Sequence, residues 1–224
     1  MRSAGPVLSA QVAEKPKLRG VLHQFAAPGA LGAGLVLVSM APTDRAAAAA
    51  AVFAFSLVVL FAVSATYHRV NWSTRGRTWM RRMDHASIFI LIAGTYTPVA
   101  LLGISGAAGD GLLLLIWAGA LAGVLQSLFW IQAPKVVTAA LAVAVGWTLV
   151  PYFDEARQAL SGSDLTLILA GGVAYTAGAV AYALKRPNLL PGVFGYHEVF
   201  HALTLVGAGL HFTVVLRLVR AATV

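Results

Sequence analysis

No cysteine occurs in this chain. That excludes a disulfide framework, a thiolate-held zinc and a cysteine nucleophile, so a bound metal must be held by histidine and oxygen ligands. Charge is scarce as well. Charged residues make up 11% of 224 positions, against 59% hydrophobic, and the mean hydropathy is +0.80. A soluble domain of this size could not cover its surface with so few charges. The formal net charge of +8 raises nucleic acid as a partner. The basic residues instead sit mainly in the connections between apolar runs, which argues against it.

What the chain has in quantity is apolar sequence. Segments recur at about 18–40, 46–68, 85–104, 111–131, 136–153, 165–184 and 194–217. Several reach the roughly 20 residues needed to cross a bilayer as helix. Uninterrupted runs of this length read as spanning helices and not as barrel strands. The expected fold is an all-α membrane protein, a seven-transmembrane-helix bundle, with residues 18–224 as one domain and 1–17 as an N-terminal tail. The third and fifth segments are the shortest. The tail has no apolar core of signal-peptide type, so the first segment is expected to remain as an anchor. Gly119 and Gly123 have the spacing that lets membrane helices approach closely.

Of the 16 basic residues, 12 fall on the side of the N-terminus and four on the other. Arg69, Arg75, Arg77, Arg81 and Arg82 crowd the second connection. Asp44, Asp110, Asp154, Glu155 and Asp164 lie opposite. The positive-inside rule then places the N-terminus in the cytoplasm and the C-terminus outside, with Arg217 and Arg220 as a mild exception. The bacterial cytoplasmic (plasma) membrane is the expected location.

Against this apolar background, a few polar residues stand where a membrane helix should be greasy. Ser64 and His68 close the second segment, Asp84-His85 opens the third, and His197-Glu198-Val199-Phe200-His201 opens the seventh. Ionisable groups at membrane depth are costly and mark functional sites by default. The topology carries all three groups to one depth, near the cytoplasmic face. Residues four apart share a helix face, so Ser64 with His68, and His197 with His201, can each point inward together. Three histidines plus a water would make the open tetrahedral site of catalytic zinc.

Each residue also has a plainer reading. His68 alone could be an interfacial histidine. Asp84 could cap its helix or pair with Arg81 or Arg82, and Ser64 could bond back to its own helix. His-Glu-x-x-His is literally the zinc metalloprotease pattern, in which the glutamate is the general base. That pattern usually takes a third ligand from further along the chain. No acidic residue follows Glu198, and His211, ten residues past His201, lies about 15 Å farther along the helix. The third ligand must therefore come from His68 or Asp84, against a protease of ordinary type. Glu198 is left as an outer partner, a base or a water-facing residue. His85, about 100° around the helix from Asp84, reads as structural, and His23 and His211 as packing or interface residues. Retinal is disfavoured because the seventh segment has no lysine. A bis-histidine haem is disfavoured because that histidine pair shares one helix face.

At these positions the chain resembles the hemolysin III family, the bacterial relatives of the progestin and adiponectin receptors, within a superfamily that includes alkaline ceramidases. The motifs are Ser64-Ala-Thr-Tyr-His68, Arg82-Met-Asp84-His85-Ala-Ser-Ile-Phe, Ala93-Gly-Thr-Tyr-Thr-Pro98 and Gly195-Tyr-His197-Glu198-Val-Phe-His201. The resemblance implies a seven-helix fold with zinc held by His68, His197 and His201. It implies that Asp84 holds or orients the zinc-bound water, with Ser64 alongside. Two functions follow as expectations. One is a zinc-dependent hydrolase of a lipid amide or ester, with membrane lipids as partners and Asp84 and Ser64 as catalytic residues. The other is a non-enzymatic lipid-state sensor, regulator or cytolytic factor in which zinc is structural.

Overall fold

The computed structural model describes residues 16–104 and 106–222. These form helices α1 (Val21–Ser39), α2 (Asp44–Arg69), α3 (Thr74–Pro98), α4 (Gly106–Phe129), α5 (Lys135–Gly146), α6 (Phe153–Ala159), α7 (Gly162–Leu184) and α8 (Tyr196–Ala221). No extended strand occurs among the described residues. Among the described residues, seven spans are long and apolar enough to cross a membrane, the fifth made of α5 and α6 together. The chain is a multi-pass membrane protein. Large apolar side chains such as Leu35, Phe55, Leu114 and Phe129 stay exposed on the outside, as a surface against lipid requires. The expected tail, 1–17, falls outside the described residues except at its end, where the Lys17 N–H donates to the Gly192 carbonyl at 3.0 Å.

The helix ends follow local chemistry. The Thr43 hydroxyl caps α2 through the Ala46 N–H at 3.2 Å, and the Ser73 hydroxyl caps α3 through the Gly76 N–H at 3.2 Å. The Ser73 cap starts α3 well before the expected residue 85, so Arg75, Arg77, Arg81 and Arg82 ride on helix rather than loop. Hydropathy misses this because arginine is a good helix former but not an apolar one. With a π-helical turn at Val99–Ile104 following Pro98, the third span becomes the longest, Thr74–Ile104. Proline removes a backbone donor and crowds the preceding turn, which is where such turns arise.

The fifth span, Lys135–Ala159, is longer than the expected 136–153 and is broken after Gly146. A break frees backbone groups that lipid cannot satisfy. Tyr96 of α3 satisfies two of them. Its hydroxyl donates to the Gly146 carbonyl at 2.6 Å and accepts from the Leu149 N–H at 3.2 Å. Where α7 begins and α8 ends, Arg217 pairs with Asp164 at 2.7 Å, which accounts for a basic residue on the acidic side.

Two cores hold the bundle. One gathers Phe89, Tyr96, Leu112, Ile116 and Val145 from α3, α4 and α5, and the other Leu37, Phe53, Leu57, Leu91 and Val215 from α1, α2, α3 and α8. Gly119 and Gly123 do serve close packing. A methyl at Gly123 would meet the fully buried Phe89 ring at 2.1 Å, and one at Gly119 would meet Val145 at 3.3 Å.

Candidate metal centre

Four helix ends meet on one side of the bundle: the starts of α1, α3 and α8 and the end of α2. His68 lies on the last turn of α2 and His197 on the first turn of α8. Their Nε2 atoms stand 3.1 Å apart although the residues are 129 positions apart in sequence. His201 follows one turn later on the same face of α8. All three histidines are buried, and each offers a ring nitrogen within 4.8 Å of the others. Two nitrogens on one tetrahedral zinc at ~2.0–2.1 Å are separated by about 3.3 Å, so the His68–His197 spacing already fits and small ring movements bring in the third. The three buried histidines could hold a metal ion.

Asp84 stands on α3, well inside a helix that Ser73 caps, so it is not a capping residue. Its Oδ2 is 3.9 Å from His68 Nε2. Ser64, one turn before His68 on α2, stands beside the same carboxylate. Ser64 and Asp84, with His197 and His201, line a cavity whose flanks are apolar, among them Leu60, Ile88, Ile92 and Val143. Four of the five site residues named from the sequence, Ser64, Asp84, His197 and His201, thus share that cavity, and His68 adjoins them through its contact with His197. His85 also lines it but stays outside the ligand triangle. His211 is far from the triangle, with Nε2 donating to the Ile168 carbonyl at 3.0 Å.

Glu198 has an occupation of its own. It is 1% exposed. Its Oε2 accepts from the Gly195 N–H at 2.8 Å, closing the first turn of α8, and its Oε1 forms an ion pair with Arg19. Both carboxylate oxygens are engaged away from the histidine triangle. In the metalloprotease pattern the corresponding glutamate faces the metal-bound water. Here it ties α8 to the segment before α1.

The contribution of α1 is what sequence reasoning missed. Gly20, with φ +80°, sits directly against His68, where a Cβ would meet the His68 Cβ at 2.5 Å. The His23 ring stacks on His201 with centroids 3.9 Å apart and planes 7° from parallel. His23, read as a packing residue, packs on the site itself. Lys135 of α5 was also overlooked. Its Nζ lies 4.4 Å from the Tyr182 ring centroid, and that ring meets His197 edge-on at 5.4 Å. One signal was available. The start of α1 falls on the same side of the membrane as the end of α2 and the start of α8, and Arg19 and His23 are the polar residues flanking that start.

The family model described as Haemolysin-III related matches residues 11–212. The chain belongs to that family. It is similar to Hemolysin-3 of Bacillus cereus, 29% identical over 174 residues, which cover 78% of this chain and 76% of the relative. It is also similar to the Hemolysin-3 homolog of Bacillus subtilis (strain 168), 27% identical over 165 residues and 74% of each chain. The matched region includes His68, Asp84, His197 and His201.

Proposed function

We propose that this haemolysin-III-family protein is a zinc-dependent hydrolase of a lipid amide or ester, working from within the bacterial cytoplasmic membrane. Residues 18–224 form its transmembrane domain and 1–17 a cytoplasmic tail, with the N-terminus inside and the C-terminus outside. His68, His197 and His201 would hold the zinc. The ion, when bound, polarises a carbonyl and lowers the pKa of its water towards neutrality.

The observation that carries this reading is the position of Asp84. At 3.9 Å from His68 Nε2, its carboxylate is beside the ligand triangle rather than part of it. That is where a general base for an attacking water belongs. Ser64, beside that carboxylate, would orient it. The apolar flanks of the cavity suit an acyl chain. Glu198 is removed from the base role by Arg19 and Gly195. Purified protein assayed on a panel of lipid amides and esters should hydrolyse at least one of them, and a zinc chelator should abolish the turnover. Absence of turnover across the panel by zinc-loaded protein would reject the hydrolase.

A second reading keeps zinc as a staple in a sensor or cytolytic protein. It is favoured by the way the histidines bind the end of α2 to the start of α8, with α1 locked over them, and by the names of the Bacillus relatives. On that reading chelation should lower stability and any cytolytic activity together, with no hydrolysis to lose.

A further inference from the structure

The interior cavity has a second polar end. Ten residues beyond His201, about 15 Å along α8, His211 lines the same cavity as the metal centre, together with Tyr175 of α7. Their rings lie 5.5 Å apart. Both are seated on glycine. A Cβ at Gly171 would meet His211 Nε2 at 2.3 Å, and one at Gly207 would meet the Tyr175 ring at 2.7 Å. Neither ring could occupy its place beside an alanine, so the small residues of α7 and α8 hold this pair in position.

The hydrogen bonding is half complete. His211 Nε2 donates to the Ile168 carbonyl, which makes Nδ1 of the neutral ring an acceptor. That Nδ1 and the Tyr175 hydroxyl are buried and have no hydrogen-bond partner among the described residues. Buried polar atoms are nearly always satisfied, so a pair left open on a cavity wall points to a ligand. An acceptor beside a phenol suits a group that can both donate and accept. An alcohol can donate to His211 Nδ1 and accept from Tyr175.

We propose that Tyr175 and His211 form a hydroxyl-recognising subsite for the far end of an acyl chain whose carbonyl end lies at the histidine triangle. The inference rests on the reading of that triangle as the carbonyl-binding end. The span between the two ends corresponds to roughly a dozen carbons at C–C bonds of about 1.5 Å. The substrate class is thus a lipid amide or ester whose acyl chain bears a hydroxyl about twelve carbons from the carbonyl. Chains without it still enter, but leave two buried polar atoms unmet, a penalty that discriminates against them.

The test compares 12-hydroxydodecanoate with dodecanoate, the product-like acids, binding to the full chain in lipid nanodiscs. Wild type should bind the hydroxy acid about tenfold more tightly, the worth of one to two net hydrogen bonds. Tyr175→Phe, which keeps the ring on Gly207, should bring the two acids to within about twofold while dodecanoate binding stays put. Equal affinity of wild type for both acids, no binding of either, or an undiminished preference in Tyr175→Phe would each overturn the proposal. Elemental analysis of the same samples separates the two readings. Protein without zinc that keeps the hydroxyl preference sustains the subsite and removes the zinc centre. Zinc-loaded protein without the preference does the reverse.

Discussion

Gly20 lies against His68 so closely that no side chain can stand between them. A Cβ there would come within 2.5 Å of the His68 Cβ, and the backbone adopts φ +80°. The start of α1 is thereby pressed onto the end of α2 at the residue that faces His197. Gly20→Ala should lose zinc affinity and melt early, since it combines a clash with a left-handed conformation that costs about 1–2 kcal/mol by itself. Gly192 supplies the control. It has φ +74° but nothing within 4 Å of its would-be Cβ, so Gly192→Ala should show the conformational cost alone and keep its zinc. Thermal unfolding and zinc content of both variants check this, and equal behaviour of the two would refute the contact.

His23 covers one face of His201 without joining the ligand triangle. Residues that support a metal ligand are typically worth 10–100-fold in metal affinity. His23→Ala should therefore weaken zinc binding by about that factor, and His23→Phe, which can still stack, should restore most of it. Competition against a chelator of known affinity measures the effect. An unchanged affinity in His23→Ala would reduce the stack to ordinary packing.

The two carboxylates near the site should behave oppositely. Asp84→Asn keeps size and hydrogen bonding but removes the base, so zinc content should hold while turnover falls by roughly 10²–10⁴-fold. Glu198→Gln should lower stability, because it leaves Arg19 facing a neutral partner, yet the rate per zinc-loaded molecule should be nearly unchanged. His197→Ala should lose both metal and stability, since an ion stabilises only the state that binds it. A rate collapse in Glu198→Gln with an active Asp84→Asn would move the base to the glutamate.

Tyr96 stitches the interrupted fifth span. Tyr96→Phe removes a donor and an acceptor from buried backbone groups and should cost about 1–3 kcal/mol. Zinc content should not change, because the break lies away from the histidines. Thermal unfolding alongside elemental analysis distinguishes this from a role in the site.

Orientation rests on the basic residues, 12 against four. A reporter fused after Val224 should be active only outside the cytoplasm. Activity inside would reverse the assignment of the histidine cluster to the cytoplasmic side.

Much of this was legible in the chain itself. Long apolar runs dictate spanning helices because lipid offers backbone groups no partner. Four spans separate the start of the third from the start of the seventh, so both of these, with the end of the second, fall on one side. The polar residues at those ends then meet for reasons of topology alone, so His68, Asp84, His197 and His201 could be grouped without a structure. Boundaries were less readable. The arginines of α3 hide a helical start under the guise of a loop, and Gly146 and Pro151 mark a break whose rescue by Tyr96 involves a partner about 50 residues away. Only the tertiary structure decided the occupation of Glu198 and the role of α1. Glu198 carries the same motif whether it faces a metal-bound water or an arginine, and the outcome depends on where Arg19 is placed by its neighbours. Gly20 and His23 carry no local signal for contact with His68 and His201, because stacking and close approach are properties of two surfaces and not of either sequence. Spacing along one helix determines which residues share its face, but what that face meets is set by packing.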